Sequence, residues 1–170
     1  MRTSQRLASF ALAFALAAPA SALIDNSGSF AGSERLHVRG CGLHGRAVSG
    51  DYVFSNGFYQ GGAFTLNIGG SLYTGTYRVE APRALRFSFD AASLAAFEAA
   101  LEAGATSLCG ESTTLAELAA GGVLVLNKRG DRARLFLRAG ARTSDGKPAL
   151  YRLRGAGPFG CPDDVVCIAS

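Results

Sequence analysis

Short runs of alternating apolar and polar residues, separated by glycines, limit the folds open to this chain. The 170 residues include 22 glycines, some of them adjacent, as at Gly69-Gly70. Apolar side chains occupy every second position at residues 64–68 and 85–89, the period of a strand with one buried face. Glycine supplies the positive φ that tight hairpin turns require. The pattern therefore predicts an antiparallel meander over residues 51–90, with a hairpin turn at Gly69-Gly70.

The middle of the chain has a helical pattern instead. Residues 91–103 are rich in alanine, and Asp90 and Gly104 are placed to cap the two ends of a helix. Residues 114–117 resemble a capping box, which predicts a second, shorter helix that Gly121-Gly122 would end. The apolar positions of the first helix follow the helical spacing of three and four residues: Leu94, Phe97 and Leu101.

Strand patterns return in the last third of the chain, at residues 123–127, 133–138 and 149–154, and a loop-like tail follows over residues 155–170. We therefore predict a mainly β (α+β) domain, an antiparallel barrel or sandwich of about seven to nine strands with one or two mid-chain helices. A transmembrane β-barrel is the alternative fold. The helical insertion in mid-chain disfavours it.

The N-terminal residues have the three regions of a secretory signal peptide. Arg2 and Arg6 precede an apolar run over residues 7–18, and Pro19 leads into the small residues Ala20-Ser21-Ala22. We expect cleavage after Ala22, which leaves residues 23–170 as a single domain. The apolar run is shorter than the roughly 20 residues of a membrane span. The expected location is periplasmic or extracellular, with no transmembrane segment after cleavage.

All four cysteines lie in the expected mature chain, and an even number in an exported protein indicates two disulfide bonds. Three pairings are open. We favour a short loop that joins Cys161 to Cys167 and a long-range bond between Cys41 and Cys109. The same Cys41 lies between the two histidines of the chain, His37 and His44, which makes a weak candidate metal site. A disulfide at Cys41 would remove its thiolate, so we predict no metal.

Positive charge is concentrated in the last third of the chain. Without Arg2 and Arg6 the chain has 15 basic and 13 acidic residues, a net charge of +2, which is too small to indicate nucleic-acid binding. If the last strands are neighbours, their arginines form one anion-binding face. The alternative is an ordinary solvated surface. The arginines concerned share a face of their strands: Arg132, Arg134, Arg138, Arg152 and Arg154.

The segment Gly28-Ser29-Phe30-Ala31-Gly32 resembles the G-x-W-x-G opening of lipocalin-like barrels, with Phe30 where that family has tryptophan. The glycine-bounded antiparallel strands, the helix and a C-terminal disulfide are similar in outline. The helical pattern lies in mid-chain instead of near the end. The resemblance implies a closed sheet with an internal cavity.

Our first functional hypothesis is an exported, non-catalytic protein that binds a small apolar ligand inside the sheet. Five aromatic residues could line such a cavity, or could simply fill the core: Phe64, Tyr73, Tyr77, Phe87 and Phe89. The second is a cell-envelope interaction or structural protein whose arginine face binds anionic glycans or lipids. An enzyme comes third, centred on His37 and His44. The sequence has no familiar hydrolase, zinc-protease or nucleotide-binding motif, so we predict neither catalytic residues nor a cofactor.

Overall fold

The fold is an antiparallel β-barrel with one helix, in a computed structural model that describes residues 26–38, 41–109 and 113–160. The side chains of residues 41–44 and of Cys109 lie outside this description. The elements in chain order are β1 (Asn26–Val38), β2 (Cys41–Phe54), β3 (Gly62–Ile68), β4 (Ser71–Ala81), β5 (Ala84–Phe89), α1 (Ala91–Cys109), β6 (Leu115–Leu126), β7 (Arg132–Thr143) and β8 (Pro148–Gly160).

Every strand pairs with the next strand along the chain, and β8 pairs back onto β1 to close the sheet. Closure satisfies the backbone of both outer strands, which would otherwise be exposed edges. The prediction of a mainly β domain is confirmed, and of the two architectures considered the barrel is the correct one. The predicted turn at Gly69-Gly70 is present, with both residues at positive φ between the paired residues Ile68 and Ser71.

Aromatic rings fill the barrel, and the glycines make room for them. A Cβ atom on Gly122 would lie 2.4 Å from Cζ of Phe87, and one on Gly75 would lie 2.8 Å from Cε1 of Phe64. Small barrels pack in this way, with large and small residues side by side on the inner wall. Five directly opposed cross-strand pairs join a phenylalanine to a glycine: Phe30 with Gly50, Phe64 with Gly75, Phe89 with Gly75, Phe87 with Gly122, and Phe159 with Gly28.

Helix α1 covers one end of the barrel. The backbone N–H of Ser93 donates to Oδ1 of Asp90 at 2.8 Å, which confirms Asp90 as the N-terminal cap. The Ser93 hydroxyl in turn accepts a hydrogen bond from the Thr74 backbone at 2.7 Å and fixes the helix to β4. Phe97, Leu101 and Ala105 are buried on the face that the helix turns toward the barrel.

The predicted end of this helix is wrong, because α1 continues past Gly104 to Cys109. A glycine inside a helix costs about 1 kcal/mol relative to alanine. Here the apolar face continues on both sides of Gly104, through Leu101 and Ala105, so burial of that face outweighs the local preference. Tertiary packing commonly overrides propensity in this way.

The predicted second helix is also wrong, since residues 114–117 lead into strand β6, which pairs along its length with β7. The backbone N–H of Leu115 donates to Oε1 of Glu102 at 2.7 Å, so α1 holds the start of the strand. Residues 155–160, predicted as loop, belong to β8. In these residues, buried positions alternate with exposed ones, as in a strand. The pattern was hard to recognise in the sequence because two of the three buried positions are glycines.

Helix α1 lacks the combination of length and apolar character that a membrane-spanning helix requires, and no other helix occurs in the described ranges. The buried faces of the strands point into the barrel, and arginines occupy the outer faces of β7 and β8. The signal-peptide prediction, and the cysteines at 161 and 167, lie outside the described residues.

Candidate functional site

A cleft of about 280 Å³ lies between helix α1 and the barrel end that it covers. One wall is the second half of the helix, which contributes Leu101, Gly104 and Leu108. The opposite wall is formed by apolar side chains of β1, β2 and β3, among them Leu36, Val48 and Ile68. The polar side chains that line the cleft are those of Glu34, Arg46, Ser71, Tyr73, Ser107 and Tyr151.

Glu34 is a carboxylate on the inner face of the barrel, with only 5% of its surface exposed. Its Oε2 accepts a hydrogen bond of 2.6 Å from the Tyr151 hydroxyl. Its Oε1 accepts one of 2.5 Å from Nε of Arg46, and Nη2 of the same guanidinium completes the ion pair. A buried charge requires such partners, because desolvation would otherwise cost several kcal/mol. The floor of the cleft is therefore a fixed, charge-neutral network.

A bulge in β2 aims Arg46 at this carboxylate. Arg46 lies directly opposite Glu34, whereas Leu36 lies opposite Leu43. The step of two positions from Glu34 to Leu36 in β1 therefore faces a step of three positions in β2, which has one extra residue. Gly45 has φ +68° within the extra stretch, a conformation that glycine adopts without strain. The side chain of Arg46 remains 65% exposed, so its guanidinium spans the distance between the buried carboxylate and the solvent at the cleft entrance.

The two tyrosines keep their protons under ordinary conditions. Burial raises the pKa of the Tyr151 hydroxyl well above its usual value, and the hydrogen bond to Glu34 raises it further. Burial likewise raises the pKa of Tyr73. Both hydroxyls therefore remain neutral hydrogen-bonding groups. The ring of Phe97 packs edge-on against both, with centroid separations of 5.2 Å to Tyr73 and 5.1 Å to Tyr151.

The five aromatics predicted to bind a ligand lie together on the inner wall. Tyr73 is the member that lines the cleft. The others pack on neighbouring rings, for example Phe64 on Phe87 at 4.9 Å and Tyr73 on Phe89 at 5.3 Å between centroids. Tyr77 packs on Phe54 and accepts a hydrogen bond from the Asn56 backbone. A role of these rings in ligand binding stays a prediction.

The predicted arginine face depends on two strands being neighbours, and β7 does pair with β8. Arg138 lies directly opposite Arg152, and Arg154 lies opposite Phe136. Arg35 of β1, which the sequence did not single out, lies on the other side of Arg152 and extends the face to a third strand. Arg132 and Arg134 continue it along β7, opposite Pro158 and Ala156, and every arginine of the face is exposed.

The weak metal candidate consists of residues that the structure describes only in part. His37 is exposed on β1, and its strand neighbour is Gly42. The side chains of Cys41 and His44 lie outside the described set, as do those of the other three cysteines, so the predicted disulfide pairing stays a prediction. Within the described ranges, no group of three potential metal ligands occurs.

Sequence reasoning missed Glu34, Arg46 and Tyr151, the residues of the buried network. One signal was available: Glu34 falls on the inward side of an alternating series in which Phe30 and Leu36 are the apolar neighbours. An acid on an apolar strand face needs a partner. The bulge at Gly45, which aims the partner at that face, has no comparable signature in the sequence.

No family model, no curated protein and no solved structure matches this chain.

Proposed function

We propose that the protein is an exported, non-catalytic binding protein, and that its ligand is a small, largely apolar molecule held in the cleft under α1. The observation that carries the proposal is the combination of apolar walls with one preorganised polar network. Concave, mostly apolar sites with a few fixed polar groups are typical of small-molecule binding. The cleft volume of about 280 Å³ is that of about nine water molecules in liquid water, so the ligand must be small.

The network at the floor defines which polar group the ligand carries. Both oxygens of Glu34 already accept hydrogen bonds, from Tyr151 and from Arg46. The guanidinium of Arg46 has further N–H groups, and it can only donate. The complementary ligand group is therefore an acceptor, such as a carboxylate or carbonyl. A medium-chain fatty acid combines this head group with a tail that the apolar walls would cover.

Lipocalin-like membership is part of the proposal. The closed eight-stranded antiparallel barrel supports it, and so does the position of Phe30, which is 3% exposed inside the first strand. The helix between β5 and β6 is the main departure, because it places the covering element within the chain instead of after the last strand. Export, inferred from residues 1–22, agrees with a carrier or scavenger of apolar molecules.

Gly104 allows a test in which the site is filled without damage to the fold. A Cβ atom there would have 3.9 Å to its nearest neighbour, Cδ2 of Leu36, so alanine fits. Leucine at the same position would project into the cleft. We expect Gly104→Leu to weaken decanoate binding at least about tenfold, a loss of about 1.4 kcal/mol, by isothermal titration calorimetry.

Gly104→Ala is the matched control. Both variants replace an interior helical glycine and should stabilise α1, by about 1 kcal/mol for alanine, so loss of binding would not reflect unfolding. The alanine variant should bind decanoate as the parent protein does. Equal binding by the leucine variant, or no decanoate binding by the parent, would exclude the cleft as the site of such a ligand.

A further inference from the structure

A groove crosses the outer wall of the barrel, and none of its lining residues lines the cleft under α1. Its larger part, about 510 Å³, runs over β5, β6, β7 and β8, and a smaller part of about 180 Å³ continues onto β1. Arg152 and Arg154 line both parts, so the two form one depression. Neighbouring strands lie about 4.8 Å apart, and the groove crosses five of them, a span of about 19 Å.

Three arginines stand side by side across this groove. Arg152 of β8 lies directly opposite Arg138 of β7 on one side and Arg35 of β1 on the other. Like charges at directly opposed positions destabilise a sheet. In the described part of the chain, the ion pairs involve other basic residues, and none includes one of these three arginines: the residues are Arg46, Arg86, Arg142 and Lys147. The central three thus lack a neutralising carboxylate, and a bound anion would relieve their repulsion.

The groove also has an apolar floor and wall. Gly121 adds no side chain to the groove, while Val123 and Phe136 contribute apolar side chains to its lining. Phe136 is 40% exposed and lies opposite Arg154. An exposed ring beside unpaired guanidinium groups indicates a ligand that is anionic and has apolar faces.

We propose that this groove binds a linear acidic polysaccharide, with its carboxylate or sulfate groups on Arg35, Arg138 and Arg152 and a sugar ring on Phe136. The planar guanidinium pairs with such groups through two parallel hydrogen bonds. The elongated, recessed shape suits an extended chain. A flat bilayer would contact the convex wall along a line and would not reach the glycine floor. Single-stranded nucleic acid stacks successive bases on successive rings, whereas the described groove residues offer one exposed ring.

The test is Arg152→Glu, with a heparin-derived hexasaccharide as the probe and maltohexaose as the neutral comparison. The substitution places a carboxylate between Arg35 and Arg138, so it should raise the thermal midpoint by about 1–3 °C while it removes the central contact. We expect binding of the acidic probe to weaken more than about tenfold, since one attraction becomes a repulsion. Binding by the parent should also weaken steeply between low and physiological salt.

Arg129→Glu is the matched control, because Arg129 is exposed at the β6–β7 turn outside the groove and the change in net charge is the same. The proposal predicts less than about a twofold loss for this variant. Equal losses for the two variants would show non-specific attraction and overturn it. So would absence of binding to the acidic hexasaccharide, equal binding to maltohexaose, or tighter Arg152-dependent binding to anionic vesicles or to an oligodeoxythymidine.

Discussion

Replacing Phe97 with alanine should remove about 3–5 kcal/mol from the free energy of unfolding, the range for loss of a large buried aromatic. The side chain is 3% exposed and packs between α1 and the end of the barrel. Its ring lies edge-on to three others, with centroid separations of 5.1–5.4 Å to Tyr151, Tyr73 and Phe89. Each such contact adds about 0.5–1.5 kcal/mol to the burial of the ring.

Urea denaturation followed by far-UV circular dichroism would measure this loss. Leu108→Ala is the control on the same helix, because Leu108 is 43% exposed and its truncation should cost less than about 1 kcal/mol. If the two variants lost similar stability, the Phe97 side chain would not be packed tightly between α1 and the barrel. Because the cleft depends on the position of α1, such a result would also remove the basis of the proposed ligand site.

The sequence predicted an element correctly where its local pattern fitted only one type of secondary structure. Strands β3 and β5 have strict alternation, and their residues were predicted with nearly the observed limits. Residues 114–117 fit a helix start equally well by their side chains. The pairing with β7, a contact with a distant part of the chain, decides between the two states, and no local signal reports it.

In the candidate sites, too, residues with a local pattern were predicted and residues brought together by strand pairing were not. The arginines of β7 and β8 were identified from their alternation, since both strands could be recognised locally. Arg35 was not, because its place beside Arg152 follows from closure of the barrel through β1 and β8. The Glu34–Arg46 pair needs both the β1–β2 register and the bulge at Gly45. Contacts set by register are properties of the assembled sheet, which period-two patterns do not specify.

Above about pH 10, the stability of the protein should fall steeply, by at least about 2.7 kcal/mol for each pH unit. Burial raises the pKa values of the hydroxyls of Tyr52 and Tyr151 well above the usual value near 10. In the unfolded chain both tyrosines would lose their protons near pH 10, while in the folded barrel both would keep them. The folded state then binds at least two more protons, so stability is complete below pH 10 and decreases as pH rises toward the folded-state values.

Tyr52→Phe isolates one of these two contributions. The Tyr52 hydroxyl, in a residue 1% exposed, makes a single long hydrogen bond of 3.3 Å to the Pro158 carbonyl, so its removal should cost little at neutral pH. Above pH 10 the stability of the variant should fall by about 1.4 kcal/mol per pH unit less than that of the parent, in urea titrations from about pH 9 to about pH 11. Tyr59→Phe, at a residue 60% exposed, should leave the parent slope unchanged. A parent slope equal to that of Tyr52→Phe would mean that the Tyr52 ring is accessible to hydroxide, and that the aromatic interior is less tightly closed than its ring contacts imply.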